Sequence, residues 1–303
     1  MTGPGERHPE PAVEARDLRK RYGSTAALDG LDLTIRTGTV TALLGPNGAG
    51  KTTFLETLSG MRTPDSGAVR VLGLDPVRRR RELALILGVQ VQEFSLQSTV
   101  KVREALAFFA SLYPDPMPVD EALHRFGLAD KAQERFPRLS GGQKRRLEIA
   151  RALIGNPRVV VLDEPTAGLD PQGQEFLRDE VRRLRSEGRT VILSTHDVDD
   201  AEELADEIAI IDRGTVIEHG TAEAVRSRSG HAYRLLLRTS SPQELADQLD
   251  PLPAVARVDS VVAYTNEPLE LRRQVTGRAE VLDERPASLE DVYLLLTGRE
   301  LRV

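Results

Sequence analysis

Eight residues, Gly45-Pro-Asn-Gly-Ala-Gly-Lys-Thr52, constrain this chain more than any others. They match G-x-x-x-x-G-K-[ST], and their flanks are those such a loop needs. Val40 to Leu44 is a short apolar run that stops at Gly45, and from Lys51 to Ser59 apolar residues resume at helical spacing. Strand, glycine-rich turn and helix therefore follow in immediate succession. In that arrangement backbone N–H groups converge on phosphate oxygens, and the helix N-terminus adds its positive dipole end. Gly45, Pro46, Asn47, Gly48, Ala49, Gly50, Lys51, Thr52 and Thr53 form the candidate nucleotide-binding set. Within it the Lys51 ammonium reaches the β- and γ-phosphates, and the Thr52 hydroxyl is a ligand for Mg²⁺.

A second strand completes the chemistry. Val159-Val-Val-Leu-Asp163-Glu164 is an apolar run ending in two acids. Burying adjacent carboxylates costs several kcal/mol unless a cation or hydrogen bonds compensate. A strand end beside phosphate-bound Mg²⁺ supplies that compensation. Asp163 is then expected to assist the metal, and Glu164 to act as the general base that orients the attacking water.

The rest of the chain arranges itself around these two strands. Leu31-Asp-Leu-Thr-Ile35 alternates apolar with polar, as a half-buried strand does. Residues 100–157 read mainly as helix, broken by a loop at Pro114, Pro116 and Pro118. The segment from Gly173 to Glu187 carries Phe176, Leu177, Val181 and Leu184 on one helical side and stops at Gly188. Thr190 to Ser194 is a third strand, so strand–helix–strand repeats and a parallel sheet follows. A hairpin is expected around Arg213-Gly214. The composition shifts after Gly220, and a small α/β domain ending in a helix near Leu289 to Leu296 is expected there. Residues 1–11, rich in Pro, Gly and charge, are expected to be a disordered tail.

Composition excludes several chemistries. The 303 residues include no cysteine, which removes disulfides, thiolate nucleophiles and thiolate metal sites. The formal charge of −6 argues against the basic face used to coat nucleic acid. Apolar runs such as Val159 to Leu162 fall far short of the roughly 20 residues of a membrane helix. Any membrane role is therefore expected to come through a partner.

Leu139-Ser-Gly-Gly-Gln143 opens a helix in which Leu147, Ala150 and Ile154 recur on one face, with Ser140 as N-cap. This pentapeptide resembles the signature of ABC-type ATPases, and with the motifs above the resemblance covers roughly residues 12–220. It implies an α/β fold: a P-loop NTPase core with an antiparallel β subdomain, an inserted α-helical subdomain (about 93–157) and a small C-terminal accessory domain (221–303).

The resemblance also implies roles. Tyr22 is similar to the aromatic that stacks on adenine. Gln92 is similar to the glutamine that senses Mg²⁺ and the attacking water, with Gln90 and Gln97 as neighbours of the same type. Ala167-Gly-Leu-Asp170 resembles the loop that crosses a dimer interface, and His196, after Ser194-Thr195, the histidine that contacts the γ-phosphate. In such proteins Ser140, Gly141, Gly142 and Gln143 close over ATP held by a second copy, so the implied site is composite and the implied assembly a dimer, here expected as a homodimer. The implied partner is a separately encoded multi-span membrane permease, which would hold this chain peripherally at the cytoplasmic face of the cell membrane, and no nucleic acid is expected. The tail motifs Ser288-Leu-Glu-Asp-Val-Tyr-Leu294 and Thr297-Gly-Arg-Glu300 resemble those of drug-resistance exporters of the daunorubicin type. A soluble ABC ATPase working on DNA or ribosomes is the other expectation the core motifs admit, and a nucleotide-gated scaffold without turnover a third.

Three further clusters have plain structural explanations. Arg78 to Arg81 is expected to be a solvated helix face. The acids Asp197, Asp199, Asp200, Glu202 and Glu203 suit the first turn of a helix. Phe108 and Phe109, with Leu106 and Leu112, are expected in the core of the helical segment.

Overall fold

The computed structural model describes residues 11–90, 96–228 and 230–297, which divide into two compact units, up to Val216 and from Ile217 onward. The first unit opens with two twelve-residue strands, β1 (Pro11–Tyr22) and β2 (Thr25–Arg36), paired antiparallel with Val13 facing Ile35 and Leu18 facing Leu31. β2 buries Leu31, Leu33 and Ile35 and exposes Asp32 and Thr34, the alternation of a strand with one wet face. β1 begins at Pro11, the last residue of the expected tail; residues 1–10 lie outside the described residues. β3 (Val40–Leu44) runs into α1 (Lys51–Leu58), and β4 (Ser66–Val71) returns to the other flank of β1, giving a three-stranded sheet in the order β2-β1-β4.

After α2 (Arg80–Ala84) comes β5 (Leu87–Gln90). Arg80 and Arg81 stand on α2 and are exposed, but Arg78 and Arg79 precede the helix and pair with Asp75 and Glu82. Gly88 in β5 permits a close approach: a Cβ there would lie 2.2 Å from the Ala152 carbonyl oxygen and 2.8 Å from Pro157 Cγ. Gly88→Ala is therefore expected to cost about 1–3 kcal/mol as an overpacked contact, read as a lower urea midpoint at unchanged slope.

The helical segment consists of α3 (Val102–Ala110), α4 (Val119–Arg125) and α5 (Gly141–Leu153), with the proline loop between the first two. One expectation fails here. α3 buries Val102, Ala105, Leu106 and Ala110, a stripe at helical spacing, and this turns Phe108 to the opposite side. Phe108 is 61% exposed and Leu112 57%, so neither belongs to the core. Phe109 is half-buried, with the Arg151 guanidinium over its ring. A bidentate ion pair between Arg125 of α4 and Glu180, both nearly inaccessible, ties this segment to the next helix.

That helix, α6 (Pro171–Ser186), follows β6 (Val159–Asp163) and leads to β7 (Thr190–Thr195), α7 (Val198–Leu204), β8 (Glu207–Asp212) and the hairpin strand β9 (Thr215–Gly220). The sheet order is β5-β6-β7-β3-β8-β9, and the pairs from β5 to β8 are parallel. β3, β6 and β7 are buried at every residue, as strands covered on both faces must be. At α7, Asp197 is the N-cap and Asp199 and Asp200 occupy the first turn. Glu203 lies beyond it and pairs with Arg178 and Arg182 of α6.

The second unit contains α8 (Ala222–Arg228), β10 (Tyr233–Arg238), α9 (Pro242–Gln248), β11 (Ala254–Ala256), β12 (Ser260–Thr265), α10 (Pro268–Val275), β13 (Glu280–Pro286) and α11 (Leu289–Thr297). Its sheet has the order β11-β12-β10-β13 with every pair antiparallel, the split β-α-β-β-α-β arrangement. Leu235, Leu237, Val261 and Ala263 pack on one face with Leu245 of α9 and Leu271 of α10. Val262 and Tyr264 pack on the other with Leu294 of α11.

Candidate nucleotide site

Sheet register puts the chemistry in one place. Leu44 at the end of β3 pairs with Thr195 at the end of β7, and Asp163 at the end of β6 pairs with Ser194. The glycine-rich loop, the two acids and His196 thus emerge side by side from the carboxyl ends of adjacent parallel strands, where ligands of open α/β sheets bind. The loop leads into α1 through Gly50, the N-cap residue, at φ 110°. A side chain there would be strained, and its Cβ would fall 2.4 Å from the Ala27 carbonyl oxygen.

Lys51 is 5% exposed, and its ammonium donates to the carbonyl oxygens of Gly45 (2.6 Å) and Pro46 (3.1 Å). Burial lowers its pKa, against the opposing pull of Glu164 and Asp163. Thr52 and Thr53 follow in the first turn of α1, both half-buried, while Asn47 and Gly48 are exposed at the loop tip.

Asp163 is buried and accepts a hydrogen bond from Ser194 Oγ. Glu164 has a left-handed backbone, φ 45°, unusual for a residue other than glycine and typical of functional sites. Its N–H donates to Ser194 Oγ (2.9 Å), and its carbonyl oxygen accepts from Arg145 Nη2 (2.6 Å). Its carboxylate stands between two cationic or protonatable groups, Lys51 Nζ at 3.8 Å and His196 Nδ1 at 3.4 Å. The structure therefore brings Lys51, Asp163, Glu164 and His196 together as their motifs require.

Ser140 caps α5 in a reciprocal box: its Oγ accepts from the Gln143 N–H (3.3 Å), and Gln143 Oε1 accepts from the Ser140 N–H (3.0 Å). Gly141 is exposed and Gly142 half-buried. Gly141, Arg145, Glu164 and Gly168 are among the residues lining a cavity of about 340 Å³. Asp170 caps α6, its Oδ1 accepting from the Gly173 N–H (2.7 Å). Tyr22, at the end of β1 and 43% exposed, lies beneath Lys20 and Arg62, 5.9 and 5.8 Å from its ring centroid. Gln92 lies outside the described residues.

Comparison with known proteins decides the family. Residues 28–167 match the family model described as ABC transporter. A Nod factor export ATP-binding protein I of Rhizobium sp. (strain N33) is 38% identical over 299 residues, covering 96% of this chain and 98% of that protein. The chain belongs to the ABC transporter ATP-binding proteins. A daunorubicin resistance ATP-binding protein of Streptomyces coeruleorubidus is likewise 38% identical, over 96% of this chain and 98% of its own length. A share of 96% cannot be reached without both units, so the likeness runs through the second unit as well as the first. Among solved structures, an ATP-binding subunit of an ABC transporter superposes with a TM-score of 0.67 at 26% identity, over 72% of this chain and 93% of that one. A dimeric ATP-binding cassette in a post-hydrolysis state, bound to ADP and phosphate, gives 0.63 at 26% identity, over 69% and 98%. This ABC ATPase binds ATP and hydrolyses it.

Two site residues were not assigned roles from the sequence. Ser194 is the hydroxyl that links both acids, and its signal was a serine in the otherwise apolar run Val191-Ile-Leu-Ser194. Arg145 carried no signal, because it sits in the run Lys144-Arg-Arg146 like any surface arginine.

Proposed function

We propose that this ABC ATPase is the motor subunit of an exporter of drugs or other small hydrophobic compounds, acting through a separately encoded multi-span permease at the cytoplasmic face of the membrane. The observation that carries the catalytic part is the placement of the Glu164 carboxylate between Lys51 and His196 at the strand ends. Glu164 is the general base that takes the proton of the attacking water, His196 contacts the γ-phosphate, and Lys51 binds the β- and γ-phosphates. Tyr22 offers its exposed ring to adenine.

Asp163 and the Thr52 hydroxyl are hard oxygen donors of the kind Mg²⁺ takes, so the residues present fit the ion. Among the described residues no group of three or more His, Cys, Asp or Glu is placed to hold an ion by itself. The remaining donors would then be phosphate oxygens and water, which is the way Mg²⁺ is held with nucleotides. When bound, Mg²⁺ neutralises charge on the phosphates; Gln92 is assigned to the same ion on family likeness alone.

Ser140, Gly141, Gly142 and Gln143 present a helix N-terminus suited to the γ-phosphate of ATP held by a second copy, with Asp170 on the loop between the copies. The working unit is then a dimer closed by ATP. Support comes from the exposed Gly141 at the start of α5 and from the dimeric form of the post-hydrolysis cassette. In light scattering, the Glu164→Gln variant with saturating ATP is expected at twice the monomer mass; a monomer would count against the composite site.

Export is favoured over a nucleic-acid or ribosomal role by the names of the two relatives. Among the described residues no helix is long and apolar enough to cross a membrane. The deciding experiment recovers tagged Glu164→Gln protein from fractionated native cells. Recovery with membranes on a multi-span polypeptide supports the reading; recovery with ribosomes or nucleic acid overturns it.

A further inference from the structure

We propose that Arg145 is a positioning residue, which fixes the backbone of the general base from the signature helix. This rests on the reading of Glu164 as the base. Arg145 lies two residues beyond the capping box of Ser140 and Gln143, and its side chain is only 12% exposed. Its guanidinium is spent on backbone oxygens: Nη2 donates to the carbonyls of Glu164 (2.6 Å) and Asp163 (3.3 Å), and Nε to that of Pro165 (3.1 Å). Its charge is balanced by Glu148, three residues along α5, at 2.9 Å. A planar fork can span three successive carbonyls; an ammonium on a flexible stem cannot.

The grip falls on the one peptide whose conformation needs it. Glu164 has φ 45°, a conformation that persists for a non-glycine residue only when its surroundings over-determine it. Ser194 Oγ holds the N–H side of Glu164, and on the C=O side Arg145 (2.6 Å) joins the turn bond from the Ala167 N–H (3.2 Å). With Arg145 gone, the Glu164 carbonyl keeps the longer bond from the Ala167 N–H (3.2 Å), but the strained peptide loses its shortest tie, and the carboxylate drifts out of line with His196 and Lys51. Because Ser140 caps the same helix, a movement of α5 is transmitted to Glu164 through one side chain. The half-site that this chain offers to its partner's ATP is thereby mechanically linked to its own base.

The test compares Arg145→Ala, Arg145→Lys and Glu164→Gln in the full chain. It measures kcat and KM for ATP, equilibrium ATP binding and the thermal midpoint. Misplacing the base is expected to lower kcat of Arg145→Ala about 10- to 100-fold, with KM and ATP binding within about twofold of the parent. Arg145→Lys should lose less, about threefold, since it can satisfy one carbonyl. An Arg145 that only glues α5 to β6 would lower the midpoint and ATP binding together with kcat, and that joint loss overturns the proposal. Should Arg145→Ala be insoluble, Arg145→Lys decides: reduced kcat at unchanged KM supports the proposal, and parental kcat overturns it. Parental turnover in Glu164→Gln would instead remove the base assignment and this proposal with it, whereas an inactive Glu164→Gln beside a fully active Arg145→Ala removes the positioning role alone.

Discussion

Glu164→Gln is expected to lower kcat for ATP hydrolysis about 10²- to 10⁴-fold, the range for loss of a positioned general base, while leaving ATP binding intact or tighter. The amide is isosteric and keeps the backbone held by Ser194 and Arg145, so the site's shape survives. What is lost is a group able to take a proton from water. The amide also removes a negative charge 3.8 Å from Lys51, near where the terminal phosphate would bind, and this relieves repulsion against the nucleotide. The same charge helps keep Lys51 protonated against the burial that lowers its pKa, so in the variant the phosphates themselves must take over that role. Phosphate release measured beside equilibrium binding of ATP separates the two effects. A fall in kcat of less than tenfold would exclude Glu164 as the base, and weakened binding would mean that its charge serves mainly to hold Lys51.

How far this site was legible depends on how local its causes are. The loop from Gly45 to Thr52 and the acid pair after Val159-Val-Val-Leu162 announce themselves because strand, turn and charge are contiguous in sequence. Arg145 could not be read in that way. Its run, Lys144-Arg-Arg146, is a basic cluster like Arg78 to Arg81, yet the Arg78 side chain is 86% exposed and that of Arg145 is 12% exposed. The difference comes from carbonyls 18 to 20 residues downstream, which no local pattern encodes. The same limit hid the strands of the second unit. β12, Ser260-Val-Val-Ala-Tyr-Thr265, is buried at every residue because helices cover both faces, so it lacks the polar–apolar alternation by which a strand is recognised. Phe108 and Leu112 fail in the opposite sense. Two large apolar side chains read as core, but the phase of α3 is set by Val102, Ala105, Leu106 and Ala110, which leaves them outside.

Within the second unit, Asp291→Ala is expected to destabilise the fold by about 3–5 kcal/mol, the cost of removing one partner from a buried charged network. Asp291 gives the tail motif Ser288-Leu-Glu-Asp-Val-Tyr its physical meaning. It closes a capping box at the start of α11, Oδ2 accepting from the N–H (2.9 Å) and Oγ (2.8 Å) of Ser288. The same carboxylate receives Arg285 Nη1 at 2.7 Å, Arg234 Nε at 3.4 Å and the Tyr264 hydroxyl at 3.0 Å. Helix and sheet are thus joined at one buried anion, and Tyr264, pushed above the ordinary phenol pKa by burial and by that anion, stays a neutral donor. Alanine leaves the hydroxyl of Tyr264 buried with its acceptor gone, and leaves the nearly buried guanidinium of Arg234 with Asp283 (3.1 Å) as its remaining carboxylate. Asparagine still accepts from Tyr264 and Ser288 but cannot balance the arginines, and should cost about 1–3 kcal/mol. The chain supplies its own reporter: it has no tryptophan, and three of its five tyrosines, Tyr233, Tyr264 and Tyr293, belong to this unit. Tyrosine emission followed through a urea titration, beside ATP binding as the readout for the first unit, localises the loss. An unchanged urea midpoint in Asp291→Ala would mean that α11 is held by the packing of Leu289, Val292 and Leu294 alone, and that the acid in the motif has some other use.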